Sequence, residues 1–205
     1  MIVFACVSPH PPLLLPTVGS SSDKEKVSLT IKSLNALGKE LKKANPDKIV
    51  ISSPHDDWGF DVPLFFLTSG KKIETEKYLT GPEPSEYYFE EGKKHGIGLE
   101  NSRQEIALIA SGDMSHCLKA DGPYGYHADG PMFDQNFVEL LSKKDIKEIL
   151  KLDIKFPEAG ECGLRSFAYC LGILTGSKIS WTPEVLSYEG PFGVGYLTVK
   201  FNINR

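Results

Sequence analysis

The sequence predicts an α/β protein: one domain over residues 1–205, with a central, mostly parallel or mixed sheet flanked by helices and a metal site at the carboxyl ends of the strands. Three observations carry this prediction. Apolar runs near residues 1–8, 48–53 and 105–113 are too continuous for half-exposed strands and read as strands covered on both faces. A helix-like stretch joins the first two, in the strand–helix–strand order of a βαβ unit. With 205 residues, 40% of them hydrophobic, the chain suffices for one ordinary core and is short for two.

The elements follow in order. Ile2 to Val7 form the first strand. Asp23 is placed to cap a helix whose Val27, Leu29, Ile31, Leu34, Leu37 and Leu41 share a face, and "NPDK" at 45–48 ends it. "KIVISSPH" opens the second strand. "DVPLFFLTS" (61–69) reads as another strand, with Pro63 pointing to an edge or a strand start. The polar segment 71–83 carries little pattern, 85–95 suits a helix, and "EIALIASGD" (105–113) is the third buried strand. A Gly- and Pro-rich loop spans 121–131. Helices are expected around 133–141, 145–150 and 163–174, and "GVGYLTVKFNI" alternates as a final strand.

Charge excludes several partners. The formal net charge of −4 has no strong block of either sign, and the basic stretch 39–48 is balanced by Glu40 and Asp47, so nucleic acid and anionic membrane are poor matches. No signal-like segment and no apolar run of the roughly 18 residues needed for a membrane span is present. The four cysteines, Cys6, Cys117, Cys162 and Cys170, lack paired spacing. A reduced, cytoplasmic protein is the expectation. A homo-oligomer is left open.

The histidines carry the functional signal. Three of the five end apolar strands: "VSPH" at His10, "SSPH" at His55 and "SGDMSH" at His116. Ligand sites in open α/β sheets form outside the carboxyl ends of the strands, so the three imidazoles can meet in one crevice. Two neutral imidazoles bind a divalent ion well, and a carboxylate completes either a zinc hydrolase site or the open face of a non-haem Fe(II) centre. Asp56 and Asp57 follow His55, but neighbouring side chains diverge. Asp113 can orient His116 or bind metal itself. Glu161 stands at the start of an apolar helix, where a macrodipole role competes with ligation. Cys162 is a soft-ligand candidate or a buried structural thiol. His127 lies in the Gly- and Pro-rich loop expected to cover the site, where a solvent-facing role competes, and His95 fits a helix C-terminus.

These motifs also resemble a known family. "SPHPPLLLP" (8–16), "ISSPHDD" (51–57), "SGDMSHCL" (111–118), "GPYGYHADGPMFD" (122–134), "AGECGLRS" (159–166) and "SYEGPFGVGYL" (187–197) are similar, in order and spacing, to the catalytic B subunit of class III extradiol ring-cleavage dioxygenases, and more closely to its Memo-like branch. The resemblance runs from the first strand to the last. It implies Fe(II) held by His10, His55 and Glu161, with His116 as acid/base. Beside it, Asp113 is read as the carboxylate that orients an imidazole, His127 and Tyr126 as lid or substrate contacts, and Pro11 as a substrate-binding residue. The implied reaction is oxidative ring cleavage of a small catechol-type aromatic substrate with O2. In the Memo-like branch a cysteine can take the metal-binding place near this helix, which sets Cys162 against Glu161. The chain is shorter than typical ring-cleaving members. Two other readings follow: a Zn-dependent hydrolase on the same ligands, and a metal- or partner-binding protein without turnover.

Overall fold

The three apolar runs become adjacent parallel strands of one six-stranded sheet in the computed structural model, which describes residues 1–99 and 102–204. The strands are β1 (Ile2–Ser8), β2 (Lys48–Ser53), β3 (Glu74–Leu79), β4 (Ile106–Ser111), β5 (Ser180–Glu189) and β6 (Tyr196–Asn204), in spatial order β3-β2-β4-β1-β6-β5. Pairs β3/β2, β2/β4 and β4/β1 are parallel; β6 runs antiparallel to β1, and β5 to β6. The sheet is therefore mixed, and every residue of β4 is buried.

Helices cover both faces. They are α1 (Ser21–Lys26), α2 (Ser28–Ala44), α3 (Trp58–Thr68), α4 (Ser85–Leu99), α5 (Asp129–Lys143), α6 (Ile146–Ile149), α7 (Leu152–Lys155) and α8 (Leu164–Gly176). Side chains alternate across a strand, so β1 sends Phe4 and Cys6 to one core and Ala5 and Val7 to the other. The first core is closed by Leu34, Leu37 and Leu41 of α2 and Phe60, Val62 and Phe66 of α3. Phe133 and Phe137 of α5 and Phe167 and Leu171 of α8 close the second. No helix among the described residues is long and apolar enough to cross a membrane.

Several expectations are corrected. Residues 61–68 belong to α3, not to a strand, with Ser69 as its left-handed C-cap, and Pro63 sits inside that helix. A short run that is apolar all round does not distinguish a buried helix from a buried strand. Asp23 does not cap the helix that carries Leu34, Leu37 and Leu41: Ser20 caps the short α1, its hydroxyl accepting from Asp23 N–H (3.2 Å) and the Asp23 carboxylate accepting from Ser20 N–H (3.0 Å) in a capping box, while α2 starts separately after Val27 without a side-chain cap. The polar stretch 71–83 contains edge strand β3, and β5 forms the opposite edge with an irregularity between Val185 and Ser187.

Helices α4 and α8 touch backbone to backbone through glycines. A Cβ on Gly92 would lie 2.1 Å from the Tyr169 carbonyl oxygen, and one on Gly172 would lie 2.2 Å from that of Phe89. Gly96 and Gly176 continue the same seam one turn on. Gly172→Val is expected to lower unfolding free energy by about 1–3 kcal/mol through overpacking. Urea denaturation checks this, and an unchanged midpoint contradicts the packing account.

The topology also sets the site. β1 leads into helices on the first face and β4 into α5 on the second, so the connections of these neighbouring parallel strands diverge from their carboxyl ends. His10 follows β1, His55 follows β2, and Asp113 and His116 follow β4.

Candidate metal centre

His10 leaves β1 between prolines. Pro11 is extended (φ −65°, ψ 134°), and Pro12 opens a 3-10 turn, Pro12–Leu14, that seats Leu14 in the core. The His10 residue is 2% exposed. Its backbone N–H donates to Asp113 Oδ1 (3.0 Å), and its Nδ1 lies 3.0 Å from Ser111 Oγ. The Ser111 hydroxyl donates its single hydrogen to the Gly59 carbonyl. Ser111 Oγ must then accept from His10 Nδ1–H, which leaves the lone pair on Nε2. Burial drives the His10 pKa down to about 3, with His55 adding to the shift and Asp57 opposing it, so the ring is a neutral donor at ordinary pH.

His55 and Cys162 complete the arrangement. Ser53 Oγ accepts from His55 N–H (3.1 Å) and donates to the His55 carbonyl (2.9 Å), holding the turn after β2. The two imidazoles meet edge to face, with centroids 5.1 Å apart. Cys162 lies just before α8, where Gly163 packs against the exit of β4: its N–H donates to the Asp113 carbonyl (3.0 Å), and a Cβ on Gly163 would lie 2.8 Å from that oxygen. Cys162 Sγ accepts from Asp113 N–H (3.4 Å) and stands 3.6 Å from His10 Nε2. One donor atom from each of His10, His55 and Cys162 lies within 4.8 Å of the others, the one such triad among the described residues. Burial, with Asp113 and Glu161 nearby, pushes the Cys162 thiol well above its usual range, so without a cation it keeps its proton.

Glu161, expected as the third ligand, is not in the triad. Its Oε2 accepts from Leu164 N–H (2.6 Å) at the start of α8, and its Oε1 lies 3.6 Å from the Arg165 guanidinium. The first N–H groups of a helix lack intrahelical acceptors, and this carboxylate supplies one. Burial raises its pKa to about 7 despite that hydrogen bond and Arg165.

Asp113 is buried, and burial raises its pKa to about 6. Its carboxylate grips the backbone of His10, whereas it touches His116 through charge alone, holding that pKa up against burial. On balance burial wins, with His10 and His55 adding, and the His116 pKa lies below that of a free imidazole. His116 N–H donates to the Ala159 carbonyl (3.0 Å), and its ring stacks on Tyr124, with centroids 5.0 Å apart and planes at 25°.

The loop that carries Tyr124 closes on itself: Leu118 bridges Tyr126, and His127 N–H donates to the Cys117 carbonyl (3.1 Å). His127 Nδ1 accepts from Asp129 N–H (3.2 Å) and its side chain is half exposed, as is Tyr126. Neither belongs to the donor triad. Pro11 is half-buried and acts on the backbone at His10. Sequence reasoning missed Ser111 and Tyr124. The signal for Ser111 was its place as the last residue of β4, in register with Ser8 and two residues from His10 along β1.

Comparison with known proteins places these residues in context. The family described as the catalytic LigB subunit of aromatic ring-opening dioxygenase matches residues 56–199, a span that holds Asp113, His116, Glu161 and Cys162 and begins just after His55. Protein CA_C1420 of Clostridium acetobutylicum is 29% identical over 94% of this chain, which spans 56% of that relative's length. The crystal structure of uncharacterized protein JW3007 from Escherichia coli K12 shares the fold, with a TM-score of 0.65 and 17% identity over 97% of this chain and 99% of that one.

Proposed function

Because the chain belongs to the family of the catalytic LigB subunit of aromatic ring-opening dioxygenase, we propose that it is a metal-dependent dioxygenase that opens a catechol-type ring with O2, its Fe(II) held by His10, His55 and Cys162. The observation that supports this most is the convergence of those three donors at the carboxyl ends of the sheet, with His116 alongside. The donor set fits a divalent transition metal: two imidazoles and one thiol whose donor atoms lie within 4.8 Å of one another. When bound, the metal supplies a redox-active Lewis acid for the reaction of a catechol with O2.

The remaining steps belong to the chain. His10 offers Nε2 because Ser111 holds its Nδ1–H, and Asp113 fixes the backbone from which that ring projects. His116, neutral near pH 7, takes a phenolic proton from the substrate and returns it when the ring opens. Tyr124 keeps the His116 imidazole in one plane for that transfer. His127 and Tyr126, on the closed loop, are the candidates to contact the far side of the substrate.

Anaerobic loading with Fe(II) followed by a catechol panel in air tests the reading. The expected result is consumption of one O2 per catechol and a yellow ring-opened product; the absence of both oxygen uptake and product contradicts it. The same His, His, Cys set also favours a zinc hydrolase. One equivalent of zinc retained through purification, with hydrolysis lost on chelation and restored by zinc alone, selects that second reading.

A further inference from the structure

A proline inside a helix has no N–H for the carbonyl four residues back. Helix α3 carries Pro63 in such a place, and the carbonyl left without its helical donor is that of Gly59. This is the carbonyl to which Ser111 donates. Ser111 is fully buried, and its oxygen faces His10 Nδ1 at 3.0 Å. The chain of groups thus runs from a missing N–H in α3 through Ser111 to the His10 imidazole that follows β1.

We propose that Pro63 is a positioning residue of the metal centre: by withholding the backbone N–H that would take the Gly59 carbonyl, it reserves that carbonyl for Ser111 and so fixes His10 with Nδ1 protonated and Nε2 open to a cation. This rests on the His10, His55 and Cys162 reading of the site, although the hydrogen-bond chain itself exists without metal. The competing tautomer has acceptors waiting. An Nε2–H would face Cys162 Sγ at 3.6 Å and Asp113 Oδ2 at 3.9 Å. A residue-63 N–H would compete with Ser111 for the Gly59 carbonyl, which can accept twice, and the weakened bond would let the Ser111 hydroxyl turn part of the time and donate to Nδ1 instead. Pro63 therefore tips a choice that the surroundings of Nε2 would otherwise contest. It also accounts for a helix-interior proline, since the orphaned carbonyl is satisfied by a side chain from the neighbouring strand.

The test begins with the metal-free protein, whose 15N imidazole shifts report the tautomer of His10. The wild type is expected to show Nδ1–H alone, and Pro63→Ala and Pro63→Val a mixture of both tautomers; Val fills more of the buried volume if Ala loosens the helix. Co(II) affinity is expected to fall about threefold or more in the Pro63 variants and about tenfold or more in Ser111→Ala, the lower range for groups that orient a metal ligand. Thermal stability of the Pro63 variants should hold or rise, which a merely structural role would not pair with weaker metal binding. Adding Pro63→Ala to Ser111→Ala should cost nothing further. An unchanged His10 tautomer in both Pro63 variants, or equal losses of affinity from Pro63→Ala in both backgrounds, overturns the proposal. Absence of Co(II) binding by the wild type rejects the metal-centre reading instead, and the tautomer ratio still decides the role of Pro63.

Discussion

Cys162→Ala is expected to lower divalent-metal affinity by roughly 100-fold or more, beyond the usual loss for groups that only support a ligand, while Glu161→Gln retains metal. The contrast follows from where the two neighbours point. Cys162 Sγ lies in the donor triad, whereas Glu161 is spent on Leu164 N–H and Arg165, contacts that a glutamine oxygen can partly keep. The same variant should remove a pH dependence. Burial raises the Cys162 thiol pKa, so a metal entering below that pKa must displace a proton, and affinity rises by about tenfold per pH unit. His10 adds no such step at neutral pH because its ring is already neutral. Competition titrations of both variants across neutral pH check this. Loss of metal from Glu161→Gln with retention in Cys162→Ala contradicts it.

His116→Gln should leave metal content unchanged and lower kcat by about 10²- to 10⁴-fold, the usual contribution of general acid–base catalysis. The pH profile carries the sign. In the proposed reaction the neutral imidazole is the base, and burial lowers its pKa below that of a free histidine. Wild-type activity should therefore persist into mildly acidic pH and fall only as pH drops through the lowered value. Steady-state oxygen uptake across pH measures both. A variant with full kcat, or a wild-type profile already failing above neutral pH as His116 would were its pKa raised, contradicts the assignment.

Much of the fold was legible because the chain states it redundantly. β1, β2 and β4 are buried on both faces, and continuous runs such as Ile2 to Val7 have few other uses. β3 was hidden because an edge strand needs little apolar sequence: Glu74 and Lys77 face solvent there. α3 was misread because its apolar residues lie all round it and Pro63 argues against a helix unless the freed carbonyl finds another donor.

In the site, the strand-end histidines His10 and His55 do come together, since strand ends gather at one edge of a parallel sheet. The choice between Glu161 and Cys162 was beyond the sequence. Adjacent residues before a helix point apart, and which one faces His10 depends on Gly160 in a left-handed turn (φ 65°) and on the close approach of Gly163 to Gly112. For Ser111 the sequence offered its place at the end of β4 but not its partners: it donates to the Gly59 carbonyl in α3 and faces His10 Nδ1, contacts that join segments far apart in the chain.

The central claim is that one thiolate and two imidazoles hold the metal, and X-ray absorption at the metal edge of protein loaded with one equivalent of zinc tests it most directly. The account predicts one sulfur scatterer at ~2.3 Å together with two imidazole nitrogens at ~2.0 Å. A first shell of nitrogen and oxygen only, with no sulfur, would contradict it.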